Sequence, residues 1–141
     1  MNISEIGSEI TEEFSIFEDW MQKYEHLIEM GKALQPMDDR YKIIDNLIKG
    51  CQSQVWLTAE MKDDKVYFKA DSDAIITKGM VALLIRALSG QKPADILEAD
   101  LKFIEEIGLN EHLSQTRANG LVSMIKQMKL YALAFNNNKT E

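Results

Sequence analysis

From Ile75 to Leu88 the chain carries only two charges, Lys78 and Arg86, among fourteen mostly apolar residues. A helix over this stretch, capped by Ser72 or Asp73 and ended near Ser89 and Gly90, is apolar almost all round. Such a helix has no face to give to water, so the other elements must cover it. At 141 residues the chain can build one core of this kind and is too short for two ordinary domains. One domain over residues 1–135 is expected, followed by a polar tail, 136–141, that frays.

The covering elements are legible from periodicity. Val55, Leu57, Ala59 and Met61 alternate with mostly polar residues, as do Val66, Phe68 and Ala70 after Asp63-Asp64. A two-residue turn pairs Met61 with Val66, Ala59 with Phe68 and Leu57 with Ala70, which puts every apolar residue on one face. Upstream, Ile6, Ile10, Phe14, Phe17, Met21, Tyr24 and Ile28 recur at spacings of four and three, the pattern of one long helix stopping at Gly31. A shorter helix follows Pro36, with Asp38 as cap and Tyr41 and Ile44 facing inward. Downstream, Pro93 opens a short helix, a second runs from about Leu101 to Ile107 and stops at Gly108, and Leu121, Ile125, Met128, Ala132 and Phe135 stripe a long C-terminal helix. The order α–α–β–β–α–α–α–α gives an α+β fold: a compact domain with an antiparallel hairpin covered by helices. Gly79 and Gly120 fall inside helices, where glycine is costly, and mark close packing.

Charge narrows the partners. The net charge is −7, and residues 1–50 hold 11 acidic against 5 basic side chains. Nucleic acid is a poor partner for such a surface. The C-terminal helix runs the other way, with Arg117, Lys126 and Lys129 its only charges. No apolar run is long enough to span a membrane, and no basic-then-apolar leader opens the chain, so neither a membrane nor a secretory route is expected.

Cys51 is the only cysteine, in Gly50-Cys51-Gln52-Ser53-Gln54-Val55-Trp56. A single cysteine forms no internal disulfide and fits a reducing cytoplasm. By residue type a free cysteine is most often inert packing, but a glycine before it and polar residues after it suit a working sulfur. If the strand extends back that far, Cys51 shares the parity of Val55 and Leu57 and points to the apolar side, where a thiol without a base has a raised pKa. Papain-like catalysis would need a histidine beside it, and His26 and His112 have no motif around them. One cysteine and two scattered histidines make no zinc or cluster site, and Asp71-Ser72-Asp73 reads as helix capping instead of a metal cluster. Two readings stand on these residues alone: a thiol-based redox or peroxide protein, and a helical interaction module with an inert cysteine.

Three blocks in order resemble the SufE-like cysteine desulfuration proteins. They are the segment from Gly50 to Trp56, Asp71-Ser72-Asp73-Ala74-Ile75-Ile76-Thr77-Lys78-Gly79, and Leu113-Ser114-Gln115-Thr116-Arg117-Ala118-Asn119-Gly120-Leu121. Lys49, before the glycine, departs from what is expected in some relatives. The resemblance implies a fold similar to the iron–sulfur scaffold proteins. It also implies a role: Cys51 accepts sulfur from the persulfide of a SufS-like cysteine desulfurase, which it thereby activates, and passes it on to an iron–sulfur scaffold complex. Pyridoxal phosphate would belong to the desulfurase, leaving this chain no cofactor of its own and no metal. Gln52, Gln54, Trp56, Asp73, Lys78 and Arg117 match motif positions, which implies partner docking or placement of the Cys51 loop.

Overall fold

The computed structural model describes residues 1–138. Helices α1 (Ile3–Ser15) and α2 (Trp20–Lys32) are followed by two short 3-10 turns, Asp39–Tyr41 and Ile44–Asn46. Strands β1 (Val55–Lys62) and β2 (Lys65–Ser72) come next. Then come α3 (Ile75–Leu88), α4 (Pro93–Glu98), α5 (Lys102–Glu106), α6 (Leu109–His112) and α7 (Gln115–Asn138). Asn136–Asn138 continue α7, so half of the expected tail is helical; 139–141 lie outside the described residues.

The hairpin has the register its alternation dictates: Met61 opposite Val66, Ala59 opposite Phe68, Leu57 opposite Ala70. Two aspartates make the turn without glycine, Asp63 at φ 54° and Asp64 at φ 65°, a left-handed pair that matches the twist of the strands. Val55, Leu57, Val66, Phe68 and Ala70 are buried. Ala59 and Met61, nearer the turn, are half-buried. Chain meets each sheet edge near one end: Ile48 N–H donates to Val55 on one side, and Val66 exchanges hydrogen bonds with Gly90 and Gln91 on the other.

Helix α3 is central as expected, with Met80, Val81, Leu83, Leu84, Ala87 and Leu88 almost inaccessible to water. It packs on β2 and carries α2 on its other side. A Cβ built on Gly31 would stand 2.9 Å from the Gly79 nitrogen, and one on Gly79 would overlap the Leu27 carbonyl. Gly31 is therefore a contact site and not a stop; α2 continues to Lys32.

The expected single N-terminal helix is two. Asp19 accepts from Gln22 N at 2.9 Å, Gln22 Oε1 accepts from Glu18 N at 2.9 Å, and the chain restarts as α2. The apolar spacing runs through the break, so period alone could not show it. Folding back brings His26 within 2.8 Å of Glu13, while Arg86 of α3 grips Glu13 at 2.7 Å and Glu9 at 3.0 Å. Asp38 does cap, accepting from Arg40 N. The helix expected behind it is only a 3-10 turn, and Tyr41 and Ile44 face outward, the latter 84% exposed. Met37 and Ile48 are buried in this stretch instead. In α7, Leu121, Met128 and Ala132 are buried as expected and Met124 joins them, leaving Ile125 and Phe135 half-buried.

The cap expected for α3 is absent. Its N-cap is Ala74, with no side-chain cap, and Asp73 is engaged elsewhere. Nor is Asp71 a cap: its carboxylate takes Lys42 at 3.0 Å and Lys78 at 3.3 Å and accepts from Ser72 N at 2.8 Å. Burial works to raise its pKa, but the bonds from Lys42, Ser72 and Lys78 outweigh it and hold the carboxyl below the usual aspartate range. A group lowered on folding stabilises the fold above its unfolded pKa and loses that contribution as pH falls through the folded value, below about pH 4. Asp71→Asn should therefore cost roughly 1–2 kcal/mol at neutral pH, with the lysines' partial exposure taken into account. It should also flatten the acid side of a plot of melting temperature against pH. An unchanged acid limb would mean the ion cluster contributes nothing.

Candidate functional site

Cys51 lies on a loop pinched at its base. Leu47 bridges Trp56 and Ile48 N–H bonds Val55, so residues 49–54 project as a narrow loop beyond the hairpin mouth. The extended conformation does not reach back to Cys51, and strand parity is not what shelters it. Helix α7 does that: Cys51 Sγ lies 3.6 Å from the Gly120 carbonyl, and a Cβ on Gly120 would sit 3.5 Å from the sulfur. Gly50, at φ 93°, makes the bend, and a side chain there would collide with Ser123 Oγ. The thiol is half-buried, and burial pushes its pKa up.

The sulfur opens into a cavity of 510 Å³ between the loop, the first turns of α3 and the start of α7. Gln52 and Ser53 line it from the loop, Ile75, Ile76, Thr77 and Met80 from α3, and Ser114, Thr116, Arg117 and Met124 from the α7 side. Of the residues expected to dock a partner or place the loop, Gln52 and Arg117 share the cavity with Cys51, as does Gly120, expected as a close-packing site.

Gln54 and Asp73 brace the loop. Gln54 N–H donates to Asp73 Oδ1 at 3.0 Å, and Gln54 C=O accepts from Ser72 Oγ at 2.8 Å and Asp73 N at 3.2 Å. This double tie fastens the loop to the approach of α3: with Val55 opposite Ser72, the hairpin register carried one residue further sets Gln54 opposite Asp73. Trp56, opposite Asp71, is half-buried with the Lys42 ammonium 5.8 Å from its ring. Lys78 turns to Asp71 and is a counter-ion, not a free docking cation. Sequence reasoning missed Lys42 and Asp71, whose pairing no local spacing records, and the apolar wall of Ile75, Ile76 and Met124.

Neither histidine lines the cavity: His26 pairs with Glu13, and His112 stacks on Trp20 with ring centroids 4.0 Å apart. Among the described residues no group of three or more His, Cys, Asp or Glu is placed to hold a metal ion. No described helix is long and apolar enough to cross a membrane.

The SufE family profile, described as an Fe-S metabolism associated domain, matches residues 8–132. The chain belongs to the SufE family. It is 44% identical over 128 residues to a SufE-like protein of Synechocystis, covering 91% of this chain and 80% of that one. It is 39% identical to a SufE-like protein of Rhizobium meliloti, covering 86% and 90%. The SufE-like protein 1 of Arabidopsis thaliana, named as chloroplastic/mitochondrial, is 40% identical over 126 residues, and there the match spans 34% of the longer protein. In fold the chain is similar to the solution structure of a hypothetical protein from Thermus thermophilus, with a TM-score of 0.76 at 20% identity over 92% of this chain and 94% of that one. As a SufE domain the chain is an accessory protein of iron–sulfur metabolism.

Proposed function

We propose that this SufE domain carries sulfur: Cys51 attacks the outer sulfur of a persulfide on a SufS-like cysteine desulfurase and leaves with it. The observation that carries this reading is the placement of the only cysteine on a braced loop, half-buried at the mouth of a cavity. The step is a thiol–disulfide-like exchange. The Cys51–sulfur bond forms, the sulfur–sulfur bond of the donor breaks, and the donor cysteine departs as thiolate. Relieved of its persulfide, the desulfurase turns over again, which is how an acceptor activates it. The sulfur then passes to an iron–sulfur scaffold complex. The carrier needs no cofactor of its own, since the pyridoxal phosphate works in the desulfurase, and a lone thiol suits a reducing cytoplasm.

A raised thiol pKa disfavours the peroxide reading, which needs a standing thiolate. It suits a sulfur whose reaction is slow alone and is accelerated when a partner opens the loop. Incubation with desulfurase, cysteine and pyridoxal phosphate should add one sulfur to the intact mass, and no adduct would sink the proposal. Catalytic consumption of peroxide without desulfurase would favour the redox protein instead.

Sheltering has its own signature. Iodoacetamide should alkylate Cys51 slowly at neutral pH, with the rate still rising at pH values where a free cysteine has levelled off. Adding the desulfurase should accelerate it. Equal rates with and without the partner would remove the gating while leaving sulfur transfer standing.

A further inference from the structure

The cavity at Cys51 has a polarity of its own. The chain is rich in carboxylates, yet among the described residues none lines this cavity. Asp73, the nearest in sequence to its wall, is engaged by the Gln54 N–H. Arg117 is exposed on the cavity's α7 side, and its guanidinium has no ionic partner among the described residues. Ser53, Ser114 and Thr116 add hydroxyls. Ile75 and Ile76, the first two residues of the 14-residue α3, also form the wall, and no side chain caps that helix. A cation and hydroxyl donors around a space that no described carboxylate lines favour a small anion.

We propose that this cavity takes small sulfur-bearing oxoanions of the thiosulfate type, and that such an anion loads Cys51 directly without a desulfurase. The inference rests on reading Cys51 as a sulfur acceptor and adds a second class of donor. Cys51 gives its proton to solvent, and its thiolate attacks the outer sulfur of thiosulfate. The carbon-bound sulfur joins the outer sulfur, the sulfur–sulfur bond of thiosulfate breaks, and its electron pair leaves with sulfite. Cys51 becomes a persulfide, and no oxidant or reductant is consumed. Arg117 binds the sulfonate oxygens, which are also those of the leaving group, so it assists both capture and departure.

The test uses sodium thiosulfate with the protein alone, reading intact mass and released sulfite, and runs loading by a desulfurase in parallel. One added sulfur with an equivalent of sulfite is expected, absent in Cys51→Ser and slowed about tenfold or more in Arg117→Gln. The ratio of alkylation by iodoacetate to that by iodoacetamide should also fall in Arg117→Gln, which separates anion selection from a general change in thiol exposure. If desulfurase loads the protein and thiosulfate does not, the oxoanion donor is overturned and the carrier reading stands. If thiosulfate loads it and desulfurase does not, the inference holds and the desulfurase falls as donor. Equal thiosulfate rates in wild type and Arg117→Gln overturn the assignment of the cavity as the anion site.

Discussion

Cys51→Ser should reduce sulfur loading from one atom per chain to none and abolish stimulation of the desulfurase. No second cysteine is present to take over, and a hydroxyl is a far weaker nucleophile toward sulfur. The fold should hardly notice. Serine is close in size, and its hydroxyl can donate to the Gly120 carbonyl that the thiol now faces, so stability should stay within about 1 kcal/mol of wild type. Intact mass, desulfurase turnover and melting temperature measured on the same preparation separate lost chemistry from lost folding. A variant that folds and still stimulates turnover would show that activation does not pass through a sulfur on Cys51.

Gly79→Ala should give the largest loss of stability of any single methyl added to this chain. Alanine is the better helix former by about 1 kcal/mol, which on an exposed helix would stabilise. Here the new Cβ would overlap the backbone carbonyl of Leu27 and approach its Cβ to 3.1 Å. A carbonyl held in α2 cannot rotate aside as a side-chain tip can, so the helices must separate. The net cost should be about 2–3 kcal/mol, or roughly 6–12 °C in melting temperature for a chain of this size. Urea melts with an unchanged slope would confirm a stability effect. A neutral result would mean that α2 slides on α3 without penalty. Because α3 also supplies a wall of the Cys51 cavity, the same variant should alkylate faster at temperatures near its own melting point.

The parts of the fold read correctly from sequence are those fixed by short-range pattern. The hairpin register follows because a one-residue slip would turn Leu57, Phe68 and Ala70 to water. The central helix follows because a sequence apolar on every side has nowhere else to go. Where the reading failed, a pattern survived a break or a partner came from elsewhere. The spacing from Ile6 to Ile28 passes through Asp19 undisturbed, although the chain reverses there. The aspartates after β2 looked like caps, yet Asp71 is claimed by Lys42, 29 positions upstream, and by Lys78.

The candidate site divides in the same way. Its thiol, the tie between Gln54 and Asp73, and the glycine at 120 could be named from the sequence. That Lys78 is spent on Asp71 while Arg117 faces the cavity could not, since both are motif cations of equal standing in a line of residues. By itself the sequence determined a single α+β core around one apolar helix and one cysteine available for chemistry. Tertiary structure decided how that cysteine is held: half-buried against Gly120 of α7, in a cavity that no carboxylate among the described residues lines. The physical reason is distance along the chain. Cys51 and Gly120 meet only when α7 crosses the loop, and the polarity around the sulfur comes from three segments that no local pattern relates.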